Sequence, residues 1–350
     1  MNFNQINKMI NVGLIGFGLS GRYFHAPFLK VNPNFNLKKV MTSKPDLVKD
    51  FDENITVVKD VDEILNDDSI NLIFVCTPND SHFRYALAAL QANKHVMIEK
   101  PFANHTSDAI TLIAEAEKRG LVLTAYQNRR WDADFLTIQK LIESKELGDI
   151  VEYEAHFDRY RPEVLVGTWK ELKSAGAGNL YNLGPHLIDQ ALTLFGTPKT
   201  VFATIKTLRP HAETDDYFDI RLEYADKSII LKSSIMAFNN ELRYVIHGTK
   251  GSFIKSGLDI QEETLKKNLL PDFESWGKEP DFQYGTLYTE KGKQIIESEL
   301  GNYMPFYESL ANAILNKNQP LVKANQALNT TKIIDLAIES SKLGKIVDFK

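Results

Sequence analysis

The chain has 350 residues, 43% of them hydrophobic and 25% charged, the composition of a folded globular protein long enough for two domains. Its 41 Lys+Arg against 46 Asp+Glu give a formal charge of -5 with no long basic block, which argues against nucleic acid or an anionic membrane and favours a small-molecule partner. Cys76 is the only cysteine, so an intramolecular disulfide and a cysteine-rich metal site are excluded, no metal is expected, and a reducing cytoplasm fits.

Lys8 precedes an apolar stretch, but Asn11 and three glycines interrupt it, and no apolar run reaches the roughly 18 residues of a membrane-spanning helix. The stretch reads as a first strand and runs straight into Gly16-Phe17-Gly18-Leu19-Ser20-Gly21. In such a Gly-x-Gly-x-x-Gly turn the first glycine permits the tight strand-to-helix turn, the second lets backbone approach a pyrophosphate, and the third lets the helix pack closely on the sheet. The phosphates would lie at the helix N-terminus, where free N–H groups and the macrodipole favour negative charge.

Through residue 125 short apolar strands alternate with helical stretches, the pattern of a parallel sheet wound with helices. Strands are expected at residues 12–15, 37–41, 71–76, 95–98 and 121–124, and helices at 61–65, 83–92 and 107–119, the last capped by Gly120. Pro27 cannot sit inside an uninterrupted first helix, so that helix is expected to stop near Phe24 and restart at Pro27. From about Asp149 the period shifts to alternating strands at 151–158, 200–207, 217–224, 228–236 and 243–248, with Ala225-Asp226-Lys227 as a hairpin turn. Helices return at 303–315 and 326–343 before a short strand at 346–349. Residues 259–293, polar and punctuated by Pro271, Gly277, Pro280 and Gly285, read as a surface excursion.

The expected fold class is α/β. A Rossmann doubly wound parallel sheet over residues 1–125 binds the cofactor; an α/β domain with a large, mainly antiparallel open sheet over 126–350 binds substrate and forms oligomer contacts.

An NAD site usually has an acid about 20 positions after the glycine loop to hold the ribose 2′-hydroxyl. Met41-Thr42-Ser43-Lys44 stands there instead, and a base without an acid favours NADP(H), with NAD(H) still possible. A solvated lysine at a strand end is the competing reading. Two further loops leave carboxyl ends of strands, where open parallel sheets bind ligands: Cys76-Thr77-Pro78-Asn79-Asp80-Ser81-His82 and Glu99-Lys100-Pro101. Pro101 keeps Lys100 out of helical conformation, so its amine can hold a substrate hydroxyl or neutralise a developing alkoxide, although a lone Lys-Pro is more often a surface turn. The expected cofactor contacts are Gly16 to Gly21, Ser43, Lys44, Thr77, Pro78, Asn79, His82, Glu99, Lys100 and Asn128.

Downstream, a glycine run from Gly176 to Gly178 leads into a polar-bearing helix in which Asn182, His186 and Asp189 can share one face. Pro185 would have to lie in its first turn, with Asn182 alternatively at the cap. His186 suits general acid or base work on a carbinol oxygen, against the competing view of a satisfied structural histidine. Arg129, Asp132, Arg159, Tyr160 and Asp189 are the candidate substrate contacts, each of which could equally be structural; for Arg129 and Arg130 a salt-bridged role weighs as much as contact with substrate.

Together these residues resemble the glucose-fructose oxidoreductase, inositol dehydrogenase and rhizopine-catabolism (Gfo/Idh/MocA) family over essentially the whole chain. Phe24-His25-Ala26-Pro27, Gln127 to Asp132, Arg159 to Glu163 and Leu183 to Gln190 are similar to segments of its NADP-dependent inositol dehydrogenases. The resemblance implies hydride transfer between a nicotinamide and a secondary alcohol or ketone of an inositol, polyol or sugar, with Lys100 as catalytic lysine and His186 as acid/base. It also implies a homodimer or homotetramer built through the C-terminal sheet. Asn182 stands where the family usually has aspartate, so the charge that would stabilise an imidazolium is missing. A cofactor-binding regulator without turnover, and a dehydrogenase of an acidic or phosphorylated sugar, are the alternatives.

Overall fold

The computed structural model describes residues 9–165, 167, 168 and 171–350; Lys8 lies outside them. The chain divides into two compact units, one of residues up to 126 with 262–274 and 303–328, the other of 127–261, 275–302 and 329–350.

The first unit is built on a parallel sheet of β1 (Ile10–Ile15), β2 (Phe35–Met41), β3 (Thr56–Val58), β4 (Leu72–Val75), β5 (His95–Ile98) and β6 (Leu123–Ala125), in the order β3-β2-β1-β4-β5-β6. The order reverses between β1 and β4, which places a ligand crevice at their carboxyl ends. Every residue of β4 is buried, and this strand is accordingly a continuous apolar run, as is usual for central strands of parallel sheets. The wound helices are α1 (Ala26–Val31), α2 (Pro45–Phe51), α3 (Asp62–Leu65), α4 (His82–Gln91) and α5 (Thr106–Arg119), the last closed by Gly120 in the left-handed region at φ +64°.

Around the parallel sheet, α2 and β3 escape the sequence pattern. A three-residue edge strand is too short to display a period. The first helix is not interrupted as expected; a π-helical turn, Ser20–His25, passes directly into α1, and the Ala26 N–H reaches back to the Gly21 carbonyl. This wider turn leaves Pro27 in the first turn of α1, where its missing N–H costs nothing.

In the second unit nine strands form one sheet: β7 (Ile150–His156), β8 (Thr200–Lys206), β9 (Tyr217–Glu223), β10 (Ser228–Ser234), β11 (Leu242–Gly248), β12 (Gly251–Ser256), β13 (Gly285–Thr289), β14 (Gly292–Ile296) and β15 (Val347–Asp348). Their order is β14-β13-β12-β11-β7-β10-β9-β8-β15, antiparallel throughout except between β7 and β10. Glu223 pairs with Ser228 across the Ala225-Asp226-Lys227 turn. The remaining helices of the chain are α6 (Ala133–Glu143), α7 (Asn179–Phe195), α8 (Gln261–Lys266), α9 (Met304–Asn316) and α10 (Ala324–Leu343). Leu183 and Leu187 of α7 and Ile334 and Ala337 of α10 join Tyr153, Ile220 and Leu231 in one core, so these helices cover one face of the sheet.

Residues 259–293 are only in part the expected surface excursion: residues 266–269 and 272–275 are exposed, but the segment also supplies a strand and buried side chains. β13 lies inside the sheet between β12 and β14, and Trp276 and Glu279 are buried. Polarity misled because the buried polar groups find partners: Trp276 Nε1 donates to Gln261 Oε1 at 3.0 Å and Lys255 pairs with Glu279 at 3.0 Å. Gly285 is no turn glycine either; a Cβ there would meet the Phe253 ring at 2.1 Å. No helix among the described residues is long and apolar enough to cross a membrane.

Candidate active site

At the end of β1 the three glycines do three different things. Gly16 has φ +97°, and a Cβ on it would sit 2.6 Å from the Cys76 carbonyl. A Cβ on Gly21 would sit 2.3 Å from the Gly16 carbonyl, so this glycine permits the close turn of helix on strand. Gly18 meets nothing within 4 Å, which leaves the open approach to backbone that a pyrophosphate requires. Among the side chains between them, Phe17 is buried against Phe51, whereas Leu19 is exposed and Ser20 is half-buried. The Gly16 N–H donates to the Met41 carbonyl at 2.9 Å, which sets the end of β2 beside the loop. Ser43 and Lys44 follow it, both exposed, and the Lys44 N–H donates to Thr42 Oγ1 at 3.1 Å.

The loops after β4 and β5 are fastened to each other. The His82 ring lies with Nε2 2.9 Å from the Thr77 carbonyl and Nδ1 2.9 Å from the Pro101 carbonyl. Burial pulls this imidazole below its ordinary pKa, against the two carbonyls, which favour its protonation. Asn79 is buried, its carbonyl accepting from Asn104 Nδ2 at 3.2 Å, while Thr77 is half-buried and Pro78 exposed. Glu99 is also buried, with Oε1 2.9 Å from His25 Nε2 and Oε2 accepting the Lys100 N–H at 3.0 Å. Burial alone would raise its pKa, but the His25 hydrogen bond and the charges of His25, Lys100 and His82 hold it below the usual carboxylate value. Burial, and then the Glu99 charge, pushes the Cys76 thiol well up, so it stays protonated. Lys100 emerges at the end of β5, half-buried, and its peptide bond to Pro101 is cis. Of the two side chains expected as cofactor contacts, His82 bridges the two loops, and Glu99 ties the end of β5 to His25.

In the second unit α7 begins at Asn179 under a carboxylate from the loop between β8 and β9. Asp215 accepts the Leu180 N–H at 2.6 Å through Oδ2, and a Cβ on Gly178 would meet its Oδ1 at 2.1 Å. Burial pushes Asp215 up to about 6 despite that bond. Pro185 is inside the helix, not in its first turn, because α7 starts three residues before Asn182. The proline follows Gly184, whose lack of a Cβ relaxes the restriction on a residue preceding proline.

Asn182, His186 and Asp189 do fall at spacings of four and three within α7, the first half-buried and the other two buried. Asp189 is fully engaged: Arg130 Nε and Nη2 each donate to one of its oxygens at 2.7 Å. Arg129 Nη1 donates to Asp132 Oδ2 at 3.1 Å, and its guanidinium lies 4.9 Å from the Phe157 ring centre. Those four residues therefore make a buried charged frame. Of the other expected contacts, Asn128 is buried on the short turn Asn128–Trp131, Arg159 lies 5.4 Å over the Phe157 ring, and exposed Tyr160 stacks edge-on against Phe238.

Several supporting residues carry no sequence signal. Gln190 Nε2 donates to the Arg129 carbonyl at 2.8 Å, and its Oε1 accepts from Tyr244 Oη at 2.9 Å and Arg243 Nη2 at 3.2 Å. Arg243, fully buried, also donates to the His156 carbonyl at 2.6 Å and to Asp134 at 3.3 Å. Gln190 stands inside a segment already singled out, but Arg243 and Asp134 are isolated polar residues whose partners are remote in sequence. The same holds for Tyr307, whose phenol meets His25 Nδ1 at 3.0 Å.

A glycine-rich turn at the switch point of a doubly wound sheet, joined to a second unit carrying a large mixed sheet, defines a dinucleotide-binding protein of α/β architecture. The chain belongs to the Gfo/Idh/MocA oxidoreductase family: residues 10–127 match its NAD-binding Rossmann fold and 139–349 its C-terminal alpha/beta domain. It is 42% identical to the scyllo-inositol 2-dehydrogenase (NADP(+)) IolW of Bacillus subtilis, over 95% of this chain and 94% of that protein. The uncharacterized oxidoreductase YdgJ of Escherichia coli is 41% identical over 95% of this chain and 96% of its own length. Among solved structures, the putative oxidoreductase yvaA of Bacillus subtilis superposes with a TM-score of 0.95 at 40% identity, covering 98% of this chain and 99% of that one.

Proposed function

We propose that the protein is an NADP(H)-dependent oxidoreductase that interconverts a secondary alcohol and a ketone on an inositol, polyol or sugar. The observation that carries this reading is a glycine turn with open backbone at Gly18 after β1, in the same parallel-sheet unit in which Lys100 follows two residues after the end of β5. Gly16 to Gly21, with Thr77, Pro78 and Asn79, would hold the pyrophosphate and nicotinamide side of the cofactor, and Ser43 and Lys44 its 2′-phosphate. When bound there, the cofactor would supply the hydride acceptor for the carbinol carbon or the hydride donor for the carbonyl.

Lys100 donates a hydrogen bond to the reacting oxygen and offsets its developing negative charge. His186 takes the hydroxyl proton in oxidation and returns it in reduction. Asn182, one turn before His186, orients that ring without adding a charge. Arg130 and Asp189 act on substrate by fixing the helix and the turn that carry His186 and Asn128. Because Arg129 and Arg130 are each paired with a carboxylate, a polyol suits this frame better than an acidic or phosphorylated sugar. Similarity to an enzyme named for scyllo-inositol and NADP(+) supports both the substrate class and the cofactor. The sheet face not covered by α7 and α10 is the surface proposed for assembly into a dimer or tetramer.

NADPH and NADH oxidation with a panel of inososes, keto-sugars and sugar acids tests the reading. NADPH consumption with a neutral inosose or keto-sugar, at a lower KM than for NADH, is expected. Lys100→Ala should lower kcat by about two or more orders of magnitude while cofactor affinity changes a few-fold. Tight NADPH binding without turnover of any compound would favour a regulator, and near-normal turnover of Lys100→Ala would remove Lys100 from the chemistry.

A further inference from the structure

We propose that His25 is a positioning residue for Lys100, acting through Glu99, so that the end of the glycine-loop helix and the end of β5 form one hydrogen-bonded unit. This rests on the reading of Lys100 as the catalytic amine. His25 is completely buried, packed edge-on against Phe74 at 5.2 Å and tilted against Tyr126 at 4.4 Å, and both its ring nitrogens are bonded. Burial demands partners for both nitrogens, and the partner on one side is the carboxylate next to Lys100.

Proton accounting fixes the direction of the chain. Tyr307 Oη lies close on the Phe24 carbonyl, an oxygen with no proton of its own, so the phenol spends its single proton there. Towards His25 the phenol can then only accept, and Nδ1 must carry a hydrogen. On the other side of the ring Nε2 lies 2.9 Å from Glu99 Oε1, a distance that requires one proton between them. His25 and Glu99 together are therefore electrically neutral, whichever atom holds that proton.

Glu99 Oε2 accepts the backbone N–H of Lys100, so the carboxylate is pinned at both oxygens and transmits the position of His25 to the residue that bears the amine. The other titratable groups around it are Cys76, His82, Tyr307 and Lys100 itself. Loss of His25 would leave a buried carboxylate short of its main partner, free to turn or to recruit water, and the end of β5 would loosen with it.

The test compares wild type, His25→Leu, His25→Gln and Tyr307→Phe in the full chain. Hydrogen exchange of the Lys100 amide, which needs no substrate, should quicken about 10-fold or more in His25→Leu, while amides of β2 and α7 keep their wild-type rates. In scyllo-inosose reduction by NADPH the same variant should lose about 10- to 100-fold in kcat with KM for NADPH little changed. His25→Gln, which can still offer an N–H to Glu99, should recover part of both effects, and Tyr307→Phe should show a smaller change in the same direction. Unchanged exchange at Lys100 in both His25→Leu and Tyr307→Phe, or exchange raised equally across the whole first unit, would overturn the proposal. Full turnover in Lys100→Ala would instead refute the catalytic role of Lys100, and the exchange data would still decide whether His25 positions it.

Discussion

The glycine loop of the first unit and the α7 frame of the second solve the same problem in opposite ways. At Gly16, Gly18 and Gly21 the useful feature is the absence of side chains: two glycines allow close contact within the fold and one leaves space for a ligand. Around His186 the useful feature is paired charge, with Arg130 on Asp189, Arg129 on Asp132 and Arg243 on Asp134, all buried. Backbone recognition tolerates little added volume, and a charged frame tolerates no missing partner.

That contrast predicts where damage should be greatest. Asp189→Ala would strand the Arg130 guanidinium, whose hold on its proton Asp189 now strengthens against the cost of burial, and should destabilise the second unit by about 3–5 kcal/mol. Denaturant unfolding measures this, and a loss within about 1 kcal/mol would show that the frame is not held by charge.

Next in size is a pH effect at the start of α7. Asp215 in the folded protein has a pKa of about 6, above the 3.8 of an ordinary aspartate, so its contribution to stability is present below pH 3.8 and is lost as the pH rises through 6. Asp215→Asn can still accept the Leu180 N–H but never ionises, so relative to wild type it should gain on the order of 2–3 kcal/mol between pH 4 and 7. A stability difference independent of pH would place the Asp215 carboxyl outside that titration.

The glycine pair gives the smallest but sharpest comparison. Gly21→Ala should cost about 1–3 kcal/mol in fold stability, because its Cβ meets backbone. Gly18→Ala should leave the melting temperature near wild type yet weaken NADPH binding about 10-fold, measured by fluorescence titration, since its Cβ meets only the space proposed for the cofactor. Equal effects of the two on stability would erase the distinction between structural and ligand-facing glycines.

Much of the fold and part of the site were legible in the chain itself. Alternation of apolar runs with helical stretches was enough for the parallel sheet, and Gly120 marked its helix end, because period and capping are local properties. Local signals failed where long-range partners decided. The polar 259–293 stretch is largely surface, as its composition suggests, but nothing in it announces that Glu279 meets Lys255 or that Trp276 meets Gln261. Pro185 was read as a first-turn residue because helix capping by Asp215 comes from a distant loop and starts α7 earlier.

The candidate residues divide in the same way. Gly16, Gly18, Gly21 and the strand-end position of Lys100 are matters of backbone conformation and order along the chain, which a sequence states directly. Whether Asp189 faces a ligand or an arginine, and whether Glu99 ends a strand idly or ties Lys100 to His25, depends on which side chains a fold of two sheets brings within 3 Å. Sequence by itself determined the sheet order's building blocks, the glycine turn and the place of Lys100 just after a strand end; only the tertiary structure decided which charges are spent holding the protein together, because burial makes an unpaired charge too costly to leave alone.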